Sequence, residues 1–381
     1  MVEIPFNKPL ITGSELETIS DAIARLDLSG DGHFTGLCEK MLQRHFSCSK
    51  AFLTHSCTAA LEMAMLLLDL GPGDEVIMPS FTFTSTANAV VLRGATPIFA
   101  DVEPGTMNID AEKIEPLINP ATKAIMVVHY AGRPADMDKI NSIAAANGIA
   151  VVEDAAQAMG STYKGKPAGT QSPLSALSFH ETKNIVSGEG GALIVNDPRY
   201  EDRAAILREK GTNRQSFLQG RADKYSWVDL GSSYLPSELV AAFLYSQIGA
   251  TAKVTTSRLA AWGRYRSNFQ SAAFPGLGLP EQVSEDAVLN GHIFHLLLPN
   301  AERRPAFLEA MKTRGIQCTF HYVPLHSSPA GLKFGKTPHG CPITEDTASR
   351  LVRLPMFFDI DAQTVDLVSA AVVDVLNEIA K

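Results

Sequence analysis

The sequence predicts an α/β protein built on a large, mostly parallel sheet, with a smaller α+β unit towards the C-terminus. Two observations predict it. Between Ala51 and Asn196, short apolar runs alternate with helical patterns. The runs are apolar throughout instead of alternating with polar residues, as expected of strands covered on both faces. A chain of 381 residues, 45% of them hydrophobic, can bury two cores.

The elements follow in order. Ser14 and Glu17 read as a capping box, with Leu16, Ile19, Ile23 and Leu26 at helical spacing behind it. Ser29-Gly30-Asp31-Gly32-His33 reads as a loop. Strands are predicted at 51–54, 75–79, 96–101, 123–130, 149–154, 176–180 and 191–196. Helices are predicted at 58–70, 84–93, 111–118 and 137–147, and a hairpin-like excursion at 161–169. A long helical stretch covers 236–269. Beyond it, 292–298 and 317–322 resemble strands, while 304–314, 345–351 and 362–380 resemble helices. The expected division is a large domain over 1–245, and a linking helix with a small domain over 246–381.

The net charge of −8, from 33 basic and 41 acidic residues, gives no support for nucleic-acid or anionic-membrane partners. Cys38, Cys48, Cys57, Cys318 and Cys341 are scattered and odd in number, which speaks against a disulfide framework or a zinc site. The first residues lack a signal-peptide pattern, and no apolar run approaches the roughly 18 residues of a membrane span. A cytoplasmic protein is expected. No His/Asp/Glu set has metal-ligand spacing, so no metal is expected.

In parallel sheets, ligands bind where the carboxyl ends of strands feed into loops. Lys183 lies there, in Ser178-Phe179-His180-Glu181-Thr182-Lys183-Asn184, ahead of Gly188-Glu189-Gly190-Gly191. A lone lysine is usually a solvated charge. A sheltered lysine with a depressed pKa can instead form a Schiff base. Asp154 ends the strand Val151-Val152-Glu153-Asp154, 29 residues before Lys183. It is either a helix cap or the partner of a protonated pyridine nitrogen. Gln157 lies three residues further on. Ser56-Cys57-Thr58-Ala59-Ala60 follows a strand and opens a helix, suiting either an ordinary cap or a phosphate, with Ser178 able to add a hydroxyl. In Pro79-Ser80-Phe81-Thr82-Phe83, one aromatic can stack on a ring, and its position favours Phe83.

Together these segments resemble the fold-type-I pyridoxal-phosphate enzymes, and more narrowly the DegT/DnrJ sugar-nucleotide aminotransferases. The resemblance spans almost the whole chain. It rests on PGDEVIMPSFTF, STANA, TMNID, VEDAAQ, STYKG, SFHETKN, GEGGA, REKGTNR and the HY-x-PLH run from His321 to His326. It implies pyridoxal 5'-phosphate (PLP) as cofactor, Lys183 as the Schiff-base lysine and Asp154 as the pyridine partner. It also implies Gln157 beside the ring hydroxyl, Phe83 stacked on the ring, and Cys57, Thr58 and Ser178 around the phosphate. Many members carry asparagine near Ser233, reaching the neighbouring subunit's cofactor; serine is shorter.

His180, His321 and His326 are implied substrate contacts, as are Lys210, Asn213 and Arg214, the last three toward a pyrophosphate. His129, His292 and His295 read as structural. The implied reaction is ping-pong, in a homodimer or larger homo-oligomer of surface-polysaccharide synthesis. Glutamate aminates dTDP-4-dehydro-6-deoxy-D-glucose to dTDP-4-amino-4,6-dideoxy-D-galactose. Alternatives are amination at C3, a different nucleotide, or a non-catalytic homologue. A dehydratase relative would be expected to carry histidine in place of Lys183.

Overall fold

The computed structural model describes residues 3–218, 220–281 and 285–380; Met1 and Val2, part of the segment read for a leader, lie outside them. The central sheet has seven strands: β1 (Lys50–Thr54), β2 (Glu75–Pro79), β3 (Thr96–Ala100), β4 (Thr122–Val128), β5 (Ala150–Asp154), β8 (Leu174–Ser178) and β9 (Gly191–Val195). The short strands β6 (Thr162–Tyr163) and β7 (Lys166–Pro167) form the hairpin between β5 and β8. The order is β1-β9-β8-β5-β4-β2-β3. All pairings are parallel except those of β9, which runs antiparallel to both β1 and β8.

Helices cover both faces. They are α1 (Glu15–Ala24), α2 (His33–Phe46), α3 (Cys57–Leu67), α4 (Thr84–Val91), α5 (Met137–Asn147), α6 (Glu201–Arg208), α7 (Arg214–Leu218) and α8 (Glu238–Ile248). Because strand side chains alternate, Phe52, Met78 and Val152 pack toward α3, while their neighbours Leu53, Ile77 and Val151 pack on the opposite face with α2, α5 and α8. A separate core joins α9 (Thr251–Ala272), α10 (Arg304–Thr313) and α13 (Ala362–Ala380) to a two-stranded sheet of β11 (His295–Leu297) and β12 (Leu351–Arg353). Phe294 is its centre, 5.0 Å from the ring of Tyr265. Two shorter helices, α11 (Pro329–Phe334) and α12 (Pro342–Arg350), lie between α10 and β12, and β10 (Ala287–Val288) adds to the β6–β7 hairpin.

Several elements differ from the sequence expectation. The helix α2 has no local signal at its start, where Gly32 sits. Its first N–H groups are capped instead by the carboxylate of Glu238, which accepts from Gly32, Phe34 and Thr35 at 3.1, 2.6 and 3.1 Å. Ser14 makes no side-chain cap on α1. Glu15 takes the N–H groups of Thr12 and Gly13 at 2.7 and 2.9 Å. The expected stripe does not form one buried face: Leu16 is 82% exposed and Leu26, beyond the end of α1, 89%, Ile19 packs on the core, and Glu15 and Ala22 are buried. Residues 111–118 form two 3₁₀ turns, the second carrying Pro116. The helical stretch 236–269 breaks at Gly249-Ala250 into α8 and α9. Residues 317–322 are no strand and contribute one bridge, Thr319 to Arg353.

Candidate active site

The carboxyl ends of β2, β4, β5 and β8 open into a cavity of about 580 Å³, closed on its far side by Phe6, His292, His321, Tyr322 and Arg353. Its floor begins with α3. Ser56 is extended (φ −163°, ψ 161°), and its hydroxyl accepts from the N–H of Ala59 at 3.1 Å. The remaining N–H groups of the first turn, with the helix dipole behind them, favour an anion. Gly191 fits this corner because a Cβ there would lie 2.4 Å from the backbone of Cys57. Gly191 pairs with Thr54 and with Ser178, so β9 draws α3 and Ser178 to one point. The start of α4 joins them, where Thr58 Oγ1 and Ser85 Oγ are 2.7 Å apart.

Asp154 ends β5, which pairs in parallel with β8. Its Oδ2 accepts from Thr86 Oγ1 at 2.8 Å and its Oδ1 from the N–H of Ala156 at 3.2 Å. Burial drives its carboxyl above the usual carboxylate range, opposed by the Thr86 hydroxyl, the Ala156 N–H and the cations nearby. Lys183 stands in the tight loop after β8. That loop is fastened by bonds from Phe179 N to Gly190 O (2.8 Å) and from Ser187 N to Phe179 O (2.7 Å). Its neighbour Asn184 is tied to Asn290 O at 3.0 Å and accepts from His292 Nδ1 at 2.9 Å. Lys183 is half-buried on the cavity wall. Desolvation pushes its ammonium pKa down, Cys57 and Asp154 oppose the shift, and Arg353 adds to it. An uncharged amine is a nucleophile.

Cys57, Thr58, Phe83, Asp154, Gln157, Ser178, His180, Lys183 and His321 all line this one cavity. Gln157 is locked at both ends: Oε1 accepts from Ala131 N (2.7 Å) and Nε2 donates to Tyr322 Oη (2.8 Å). Phe83 leaves a ring face open to the cavity. His180 accepts the Thr182 N–H at Nδ1, 3.2 Å away.

Five expected site residues lie elsewhere. His326 is buried with both ring nitrogens engaged, to Ser80 Oγ (2.6 Å) and Glu345 Oε1 (3.1 Å), which leaves it nothing to offer a substrate in this chain. Lys210 reaches Glu209 at 3.0 Å, Asn213 is spent on Lys224 O and Ser226 N, and Arg214 lies 3.5 Å from Asp31. Ser233 is exposed beside Glu209. In the other direction, His292 belongs to the cavity wall although it reads as structural, Tyr322 joins it from the HY-x-PLH run without having been singled out, and Phe6 and Arg353 join it without a sequence signal.

This arrangement matches an aldehyde that carries a phosphate and a basic ring nitrogen. The anion site, the buried carboxylate and the amine share one cavity in that geometry. The sequence pattern of the DegT/DnrJ/EryC1/StrS aminotransferase family matches residues 10–373. The chain belongs to this family. It is 32% identical to the spore coat polysaccharide biosynthesis protein SpsC of Bacillus subtilis (strain 168), over 98% of this chain and 97% of SpsC. The aminotransferase TlmJ from Streptoalloteichus hindustanus superposes with a TM-score of 0.91 at 28% identity, covering 99% of this chain and 100% of TlmJ. The PLP form of Spr1654 from Streptococcus pneumoniae, named for sugar amination, does so with a TM-score of 0.90 at 26% identity, covering 99% and 100%. The chain is thus an aminotransferase of the fold-type-I class, and PLP is its cofactor.

Proposed function

We propose that this aminotransferase acts on a nucleotide-linked keto sugar, converting dTDP-4-dehydro-6-deoxy-D-glucose to dTDP-4-amino-4,6-dideoxy-D-galactose with L-glutamate as donor. The observation that carries the amino-transfer chemistry is the shared cavity of Lys183 and Asp154. The sugar reading draws support from the relatives, one named for coat polysaccharide synthesis and another for sugar amination. The long runs PGDEVIMPSFTF and SFHETKN support the finer choice of substrate.

When bound, PLP supplies an electron sink and carries the amino group from one substrate to the other. The first turn of α3 with Ser178 would hold its phosphate. Asp154, oriented by Thr86, would keep the ring nitrogen protonated, and Phe83 would cover a ring face. Lys183 Nζ would take the proton from the donor's α-carbon and return one to the carbon that gains the amine in the keto sugar. A lysine of depressed pKa suits both directions near neutrality.

Lys210, Asn213, Arg214 and Ser233 serve the neighbouring subunit in a homodimer, since they lie off this chain's own cavity. The exposed apolar residues Leu16 and Ile23 of α1, and the exposed Trp227 between Arg214 and Ser233, support such a dimer. A large and a small unit are proposed on the separate small core, but the division expected at 245/246 falls inside α8, whose Ile248 packs with the large unit, so the change-over lies in α9. The enzyme is placed in the cytoplasm, in surface-polysaccharide synthesis; among the described residues no helix is long and apolar enough to cross a membrane.

Incubation with dTDP-4-keto-6-deoxyglucose and glutamate tests the assignment. Mass spectrometry should give a product with the keto oxygen exchanged for an amine, and NMR should place that amine axially at C4. A C3 amine, or turnover only with another nucleotide, would replace the substrate while leaving the chemistry standing.

A further inference from the structure

One imidazole on the cavity wall is fastened from several sides. His292 is buried in the stretch that leads to β11. Its backbone N–H donates to Asn290 Oδ1 at 3.0 Å, and its carbonyl accepts from Arg258 Nη2 at 2.8 Å. Arg258 Nε also donates to Gly291 O at 3.1 Å. Asn290 in turn donates to the carbonyls of Gln157 and Met159 at 2.7 and 3.0 Å. Its side chain fits because residue 132 is glycine: a Cβ there would lie 1.9 Å from Asn290 Oδ1.

The hydrogen bonds also fix the tautomer of the ring. Asn184 Nδ2 donates to Asn290 O at 3.0 Å. A carbonyl only accepts, so the atom facing it is the amide nitrogen, and the other end of that amide, Oδ1, is an acceptor. The His292 nitrogen 2.9 Å from Oδ1, Nδ1, therefore carries the proton. Burial, followed by Lys183, Arg258, Arg353 and His321, holds the imidazole well below its usual pKa, and so neutral. Nε2 is then a bare acceptor. It has no hydrogen-bond partner among the described residues, on a ring that borders the cavity with Lys183.

Lys183 needs an acceptor of this kind. Each half-reaction frees its amine, which has to stay beside the reacting carbon with its N–H groups engaged elsewhere. Two carboxylates line the cavity, but Asp154 is assigned to the ring nitrogen, and Glu189 lies 3.6 Å from His180 at the exposed rim. A carboxylate would also favour the ammonium form of the lysine. A neutral imidazole takes an N–H from the amine without adding a negative charge.

We propose that His292 is a positioning residue for Lys183: Nε2 accepts from the freed amine and turns its lone pair toward the reacting carbon, while Asn184 and Asn290 keep the ring in the tautomer that can do so. The inference rests on the amino transfer through Lys183 set out above.

The first test needs neither cofactor nor substrate. NMR of the imidazole nitrogens in the enzyme freed of PLP, with the His292 signals identified by their loss in His292→Gln, should show a protonated Nδ1 and a bare Nε2 throughout the neutral pH range. Lys183→Met should shift the bare nitrogen and leave the proton on Nδ1. The second test follows the two half-reactions of the PLP-loaded enzyme by stopped-flow absorbance. His292→Leu should slow both by a similar factor, roughly 10- to 100-fold, with the apparent Kd of each substrate within about threefold of wild type. The isotope effect with glutamate deuterated at its α-carbon should grow, because proton transfer then limits the rate. His292→Gln, whose amide oxygen can stand in for Nε2, should recover part of the loss. Borohydride fixation of the cofactor at Lys183 in the same samples tests the reading of the lysine separately. The proposal is overturned if Nε2 carries the proton, if Lys183→Met leaves its resonance unmoved, if His292→Leu keeps wild-type rates, or if the loss falls on the affinity for one substrate alone.

Discussion

The two walls of the cavity are built in different ways. On the sheet side, Asp154, Ser178, Lys183 and the Ser56–Thr58 turn each follow a strand or open a helix within a few residues of it. Strand pairing alone brings them together: β5 lies beside β8, and β8 beside β9, whose first residue touches α3. On the other side, Phe6, His292, the pair His321 and Tyr322, and Arg353 come from four separated segments of the chain. The sheet wall is therefore positioned within one sheet, and the far wall by contacts among segments distant in the chain. The chemistry of PLP belongs to the first, and the choice of substrate to the second, apart from His292, which serves Lys183.

The largest effect should come from the sheet wall. Lys183→Ala removes the amine that shuttles the proton, and turnover should fall at least about 10³-fold. Borohydride reduction should then no longer fix the cofactor to the chain. Asp154→Asn keeps the shape and removes the charge from a buried electrostatic partner, for which a loss of roughly 10²–10³-fold in kcat is expected. Thr86→Val, which takes away the 2.8 Å bond to Asp154, should cost about tenfold or less. Steady-state kinetics at saturating substrates would order the three, and a Thr86 effect larger than the Asp154 effect would contradict the geometry.

The same contrast explains what the sequence could reveal. Seven central strands are visible because each is a short apolar run between turn residues, and the motif residues at their ends inherit that visibility. The helix α2 was invisible because its capping carboxylate, Glu238, lies about two hundred residues away. The antiparallel course of β9 was hidden, since an apolar run carries no direction. Arg353 gave no signal of its own, since its place on the cavity wall is a property of packing, not of neighbours in the chain. His326 misled for the opposite reason. It stands in the same short run as His321, yet the two side chains diverge, one to the cavity and one to Ser80 and Glu345.

Burial of Lys183 also has a cost that can be measured without activity. Its folded pKa is depressed, so the folded protein without cofactor binds fewer protons than the unfolded chain between that lowered value and the ordinary value near 10.4. Its stability penalty is absent above the unfolded value, grows as pH falls through that window, and levels off below the folded value. Lys183→Met should therefore melt higher than the wild type when both lack PLP, with the gap in Tm widening from about pH 10 toward neutrality. A gap that did not change with pH would mean that the amine is charged in the folded state.

The smallest effect sharpens the contrast between His321 and His326. His326→Gln loses at least one of two hydrogen bonds, the buried one to Ser80 after β2 or the part-buried one to Glu345 on α12. A loss of about 1 kcal/mol in unfolding free energy is expected from one such bond. Because the ring lies off the cavity of its own chain, KM for both substrates should stay within about twofold of wild type. His321→Gln should behave in the reverse sense. It would disturb the partner of Arg353 Nη1 on the cavity wall, raise KM for at least one substrate and leave the denaturation midpoint nearly unchanged. If His326→Gln instead raised KM for the nucleotide sugar, the substrate would have to reach behind Ser80, and the boundary of the site would move to include α12.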